Sequence, residues 1–148
     1  MRIGLISDTH GLARPEALAA LRGVELILHA GDIGDPAVIA ALLDVAPVIA
    51  VRGNNDSGDW AEVVAEREVF ALAQRRVLLL HELKHHDERE HFDVVVYGHS
   101  HRPLAERRNG TLYVNPGSAG PRRFSLPISI AHLDLNGAEP DVRFQELG

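Results

Sequence analysis

Short apolar runs alternate with helix-like segments through the first third of the chain. Arg2 to Ser7 (RIGLIS), Val24 to His29 (VELILH) and Pro47 to Val51 (PVIAV) read as buried strands. Helices are predicted from Pro15 to Leu21 and from Pro36 to Leu43, since proline suits the first helical turn and Asp35 is placed to cap the second. Strands and helices alternating at this length imply a mostly parallel sheet covered by helices. The second half is richer in strands. Glu66–Ala71 and Arg76–Leu80 form a hairpin pattern joined at Ala73-Gln74, and a short polar helix is predicted from Lys84 to His91. Asp93–Tyr97, Thr111–Asn115, Ile128–Leu135 and Val142–Gln145 complete the set, with turns at Asn109-Gly110 and Asn136-Gly137. No linker, repeat or low-complexity segment interrupts the 148 residues, so one α/β domain is expected.

Composition narrows the function classes. The chain is 45% hydrophobic and 24% charged, and no apolar run reaches the roughly 20 residues of a membrane span. A strand pattern beginning at Arg2 leaves no room for a signal peptide, and the expected location is the cytoplasm. Without cysteine, any metal must sit on nitrogen and oxygen ligands. A formal net charge of −6 argues against a stable nucleic-acid partner. It is compatible with a phosphorylated substrate if bound cations supply positive charge locally.

The polar residues fall where that chemistry needs them. In an open α/β sheet the loops after parallel strands gather along one edge. Asp8 and His10 follow the first strand, Gly31-Asp32 the second and Gly53-Asn54-Asn55-Asp56 the third. His81 ends the LLL run, Gly98-His99-Ser100-His101 follows DVVVY, and Asn115-Pro116-Gly117-Ser118 follows the next strand. Carboxylates neutralise a pair of divalent ions, and imidazoles favour first-row transition metals. Alternation along an extended Gly98–His101 segment places His99 and His101 on one side, as shared chelation requires. His29 reads as a packed residue, His85, His86 and His91 as solvated, and His132 as structural. One of His85, His86 and His91 could serve as a substitute proton donor. Trp60 and Phe92 read as packing residues. Asp56 either orients His81 or closes its own turn, and Asn115 and Arg122 are candidate phosphate contacts, with Arg122 equally readable as an exposed arginine.

In this order and spacing, Asp8-Thr9-His10, Gly31-Asp32, Gly53-Asn54-Asn55-Asp56, His81 and Gly98-His99-Ser100-His101 resemble the calcineurin-like metallophosphoesterases. The similarity is greatest to the small bacterial and archaeal phosphodiesterases and runs to about Arg122. The resemblance implies a four-layer α/β/β/α sandwich. It implies one metal on Asp8, His10 and His101, a second on Asn54, His81 and His99, and Asp32 bridging the two. Asp32, Asn54 and His99 are the expected catalytic centre of this set. The implied ions are two divalent metals, drawn from Mn, Fe, Zn, Co and Ni, sharing a water or hydroxide that attacks a small phosphodiester. A phosphomonoesterase on the same site is the alternative, and a homo-oligomer is compatible with either. The fold is also similar to a subunit of the eukaryotic retromer coat, a binding scaffold whose metal site is degraded. That reading predicts non-ligating replacements at ligand positions, and the seven positions here carry none.

Two departures stand out. Many superfamily members place histidine after the Gly-Asn pair, where it assists the leaving group. Here Asn55 occupies that position, as is often so in the small phosphodiesterases, and an amide cannot act as a general acid. Glu82 follows His81 where the family usually has glycine, so a side chain either crowds the loop or adds a carboxylate.

Overall fold

Ten strands sort into two sheets because nearly every strand has an apolar face to bury. In the computed structural model, which describes residues 1–148, the elements are β1 (Arg2–Ile6), α1 (Pro15–Ala20), β2 (Leu26–His29), α2 (Pro36–Leu43), β3 (Val48–Ala50) and α3 (Asp59–Glu62). They continue with β4 (Arg67–Leu72), β5 (Arg75–Leu80), a 3-10 turn (Leu83–His85), β6 (Val94–Val96), β7 (Leu104–Arg108), β8 (Thr111–Asn115), β9 (Ser129–Asp134) and β10 (Asp141–Glu146). One sheet has the order β10-β9-β1-β2-β3 and the other β4-β5-β6-β8-β7. No helix is long and apolar enough to cross a membrane.

Alternation within the strands assigns the layers. Ile3, Leu5 and Leu28 from the first sheet meet Val77, Leu79 and Val96 from the second, forming the core between the sheets. The opposite face of the first sheet, with Ile6, Ile27 and Ile130, packs on Ala17 and Leu21 next to α1 and on Val38 and Leu42 of α2. Burying such side chains stabilises the fold by about 1.5–3 kcal/mol each. The outer face of the second sheet carries Leu78, Leu80, Val95, Tyr97 and Tyr113, covered by Phe92 and Leu83 from the segment between β5 and β6. The result is the α/β/β/α sandwich, with its fourth layer thinned to a single 3-10 turn and coil.

Three local features differ from the sequence expectation. The helix predicted from Lys84 to His91 is only the turn Leu83–His85. Beyond it the Asp87 side chain accepts from the backbone N–H of Arg89, a local bond that competes with helical ones. Strand β7 was not predicted, because its five residues are mostly exposed and show no alternation. It forms through the Asn109-Gly110 turn, whose φ values of 50° and 79° return the chain onto β8. The four-residue α3 was likewise unforeseen. The expected Asp35 cap is present, accepting from Ala37 N–H at 2.8 Å.

The pairing pattern decides where the loops go. β1, β2 and β3 run parallel, and so do β5, β6 and β8. The six loops leaving their carboxyl ends carry Asp8 and His10, Asp32, Asn54, His81, His99 and His101, and the turn after Asn115. The two sheets together therefore bring all of these to one end of the sandwich.

Candidate metal centre

Five of the seven residues expected to ligate have left-handed backbone. Asp8, His10, Asp32, His99 and His101 lie at φ 54°, 46°, 54°, 76° and 62°. Non-glycine residues visit this region at a cost, and such strain concentrates where the surroundings impose it. The Gly98–His101 segment is thus not extended as alternation requires. His99 and His101 turn to different partners instead.

Two buried groups of donor atoms result. Those of Asp8, His10 and His101 lie within 4.8 Å of one another, and so do those of Asp8, Asp32 and His81. His101 Nε2 is 3.4 Å from Asp8 Oδ1 and 3.3 Å from His10 Nε2. Asp32 Oδ2 lies 3.3 Å from His81 Nε2 and 3.7 Å from His10 Nε2, so Asp32 reaches toward both groups. Asp8 belongs to both as well. His99 Nδ1 is 3.2 Å from Asn54 Oδ1, and the His81 and His99 rings meet edge to face.

Supporting bonds aim these side chains. Ser7 Oγ–H and His99 N–H both donate to Asp8 Oδ2, at 2.7 and 3.1 Å, which turns Oδ1 inward. His81 Nδ1–H donates to the Ala30 carbonyl at 2.8 Å, leaving Nε2 unprotonated in the neutral ring. Asp8 Oδ1 and His81 Nε2, 3.9 Å apart, are buried and have no hydrogen-bond partner. Buried polar atoms are nearly always paired, and these face each other across the cluster. A set of carboxylate, amide and imidazole donors fits first-row divalent cations.

The charges respond to this crowding. Burial opposes ionisation of Asp8, but the neighbouring His101 and His81 imidazoles and the Ser7 hydroxyl outweigh it and hold its pKa below the usual value. Asp32 is lowered too, with burial overcome by His81 and by Asn55. Burial pushes His81 down, yet Asp32 and Asp8 prevail and raise it. His29 is different. Complete burial drives its pKa down to about 4, and the nearby carboxylates of Asp8, Asp56 and Asp32 offset this only in part. Gly31 N–H donates to its Nδ1, and Nε2 pairs with the Thr9 hydroxyl, so the neutral ring is fully satisfied.

The calcineurin-like phosphoesterase superfamily domain matches residues 1–138. The chain belongs to this superfamily. A probable metallophosphoesterase of Methanothermobacter thermautotrophicus is 35% identical over 163 residues, covering 100% of this chain and 94% of that one. The solved phosphoesterase YfcE of E. coli superposes with TM-score 0.75 at 28% identity over 100% of both chains. Vps29 of Chaetomium thermophilum superposes with TM-score 0.80, covering 99% of this chain and 96% of its own. At 19% identity that likeness shows the fold alone.

Within the phosphoesterase framework the remaining expected residues separate. Asn55 donates to Asp32 twice, from its backbone N–H to Oδ1 at 2.9 Å and from Nδ2 to Oδ2 at 3.0 Å. Asp56 does not touch His81. It accepts from the N–H groups of Ile33, Gly34 and Gly53, tying the Asp32 loop to the Asn54 loop. Asn115, offered as a phosphate contact, is fully buried; it donates to Gly98 O and Ser100 Oγ and accepts from Gly117 N–H, bracing the histidine loop. Arg122 is also not brought to the cluster, since its guanidinium is committed to the Leu126 and Gly148 carbonyls.

Two glycines are required by close approach. A Cβ on Gly53 would stand 2.1 Å from Asp32 Oδ1, and one on Gly98 2.1 Å from Ser7 Oγ and 2.7 Å from Asp8 Oδ2. Sequence reasoning missed Ser7, whose only signal was its place at a strand end beside Asp8. A cleft of about 470 Å³ opens beside the cluster, with Asn54, His81 and Glu82 on one side and Arg52, Arg67 and His85 among its other walls.

Proposed function

We propose that this protein is a phosphodiesterase that works through two divalent ions. The observation that carries the reading is the meeting of Asp8, His10, Asp32, His81 and His101 around the unpartnered Asp8 Oδ1 and His81 Nε2, with the Asn54–His99 pair beside His81. Asp8, His10 and His101 would hold one ion, and Asn54, His81 and His99 the other. Asp32 would bridge them, in keeping with its place between His10 and His81. When bound, such a pair supplies Lewis acidity at a phosphoryl oxygen and lowers the pKa of water.

The chain's own residues do the rest. Asn55 and the two loops tied by Asp56 hold Asp32 in place, so positioning is built in before substrate arrives. The cleft beside Asn54 takes the organic group on phosphorus. Its arginines are already paired, Arg52 with Glu66 at 2.7 Å and Arg67 at 2.9 Å with Glu90, which Arg76 shares. That balance suits the single negative charge of a phosphodiester better than the dianion of a monoester.

The test is hydrolysis of aryl phosphodiester and aryl phosphomonoester by chelator-stripped protein resupplied with Mn, Ni, Zn or Mg, alongside total metal analysis. Activity is expected with at least one transition metal, with the higher kcat/KM on the diester and near abolition in Asp32→Ala and His99→Ala. Unchanged turnover in Asp32→Ala removes the bridge. A purified chain that retains no divalent ion and hydrolyses neither ester favours the binding-scaffold reading.

A further inference from the structure

His81 and His99 face the same part of the cluster, but their rings are held by different means. His81 has its Nδ1 fixed by a backbone carbonyl. His99 has no such backbone partner. Its Nδ1 lies 3.2 Å from Asn54 Oδ1, and its Nε2 lies 3.3 Å from Glu82 Oε1. A neutral imidazole has one N–H, so the two oxygens compete for a single proton. If Nδ1 carries it, the bond to Asn54 uses both the nitrogen and the oxygen that should ligate. If Nε2 carries it, the Nδ1 lone pair and the Asn54 carbonyl oxygen converge on one point, an arrangement that a cation satisfies.

Glu82 decides between these states. Glu82 Oε1 stands at ion-pair distance without the alignment of a hydrogen bond, and an ionised carboxylate there attracts an N–H more strongly than a neutral amide oxygen does. The Glu82 side chain is only 14% exposed, and its second oxygen is oriented by His85 Nε2 at 3.4 Å, with Lys84 Nζ at 4.0 Å. The carboxylate is therefore held toward His99 rather than free in solvent. We propose that Glu82 is a positioning residue that keeps the His99 proton on Nε2 and presents Nδ1, with Asn54, to the ion they share. The inference rests on the two-ion reading of the site.

Imidazole nitrogen NMR on the metal-free full-length chain reads the tautomer directly. The wild type should show His99 protonated at Nε2, Glu82→Gln, which offers only a neutral amide oxygen, should show a mixture of tautomers, and Glu82→Ala should move population to the Nδ1–H form. Calorimetric titration with Mn or Zn should show one of two binding events weakened by about 10–100-fold in Glu82→Ala, the usual loss when a ligand's outer partner is removed. Glu82→Gln should fall between the wild type and Glu82→Ala. An unchanged tautomer in Glu82→Ala overturns the proposal. So does a Glu82→Gln variant that loses as much affinity as Glu82→Ala, which would make the carboxylate itself a ligand. A wild-type chain that takes up no divalent ion overturns the site reading beneath it, whatever the tautomer.

Discussion

Asn55 grips both carboxylate oxygens of Asp32, one through its backbone N–H and the other through its side-chain amide. The residue that stands where many relatives place a histidine thus holds Asp32, the ligand proposed to bridge the two ions. Asn55→Ala keeps the backbone bond and removes the Nδ2 bond, a charge-assisted interaction of about 1.5–3 kcal/mol. Divalent-ion affinity should fall by about 10–100-fold, as measured by calorimetry. An unaltered titration would show that the amide contributes nothing to holding Asp32.

The same amide predicts a chemical signature. Asn55 cannot protonate a departing oxygen, so the leaving group must be acidic or take its proton from water. Turnover of a graded series of aryl phosphodiesters should rise steeply as the phenol becomes more acidic. Equal rates across the series would mean that another side chain, with His85 on the cleft wall the nearest candidate, supplies the proton.

Asp56 is predicted to matter for stability before chemistry. Its carboxylate accepts from three backbone N–H groups on two loops, and it is 8% exposed. Asp56→Ala leaves those donors without partners and should destabilise the fold by about 3 kcal/mol, with loss of metal binding. Asp56→Asn, which retains an acceptor, should fall between. Chemical denaturation of the three proteins checks the ranking.

The pH profile of metal-free protein follows from three shifted histidines, with burial lowering His29 and, in the same direction, His132, and carboxylates raising His81. The pKa of His29 is about 4 in the fold against 6.5 in the unfolded chain. Below pH 6.5 the unfolded chain takes up a proton that the fold refuses, so stability falls until about pH 4. His81 is raised above 6.5, so its contribution is complete below that value and is lost as pH rises through its folded pKa. The lowered Asp8 and Asp32 contribute above their unfolded value of 3.8 and fail only in stronger acid. Urea unfolding across about pH 4–8 should therefore peak near 6.5, and His29→Gln should flatten the acid limb. A profile still rising above pH 7.5 or so would contradict the sign assigned to His81.

Much of the fold was legible because its cause is local. The first three strands, the two helices between them and the Asp35 cap follow from apolar runs and prolines, and the hairpin at Ala73-Gln74 from its flanking alternation. β7 was not legible, since an exposed edge strand needs no apolar pattern and is held only by its neighbour. The Lys84–His91 segment carried helix-forming residues but no apolar stripe, and Asp87 took the backbone donor of Arg89.

For the site, the sequence by itself determined which side chains would meet. Parallel strands of similar length deliver the residues just past their ends to one edge, so spacing along the chain pointed to the polar loops, and the family resemblance narrowed them to Asp8, His10, Asp32, Asn54, His81, His99 and His101. Only the tertiary structure decided how each would be held. The pairing of Asn55 with Asp32, of Glu82 with His99 and of Asp56 with three backbone donors joins loops distant in sequence. It also withdrew Asn115 and Arg122 from the phosphate role by committing them to backbone groups. Such bonds depend on loop conformation at the level of single left-handed residues. No local pattern encodes that, because the strain is maintained by partners from the other loops.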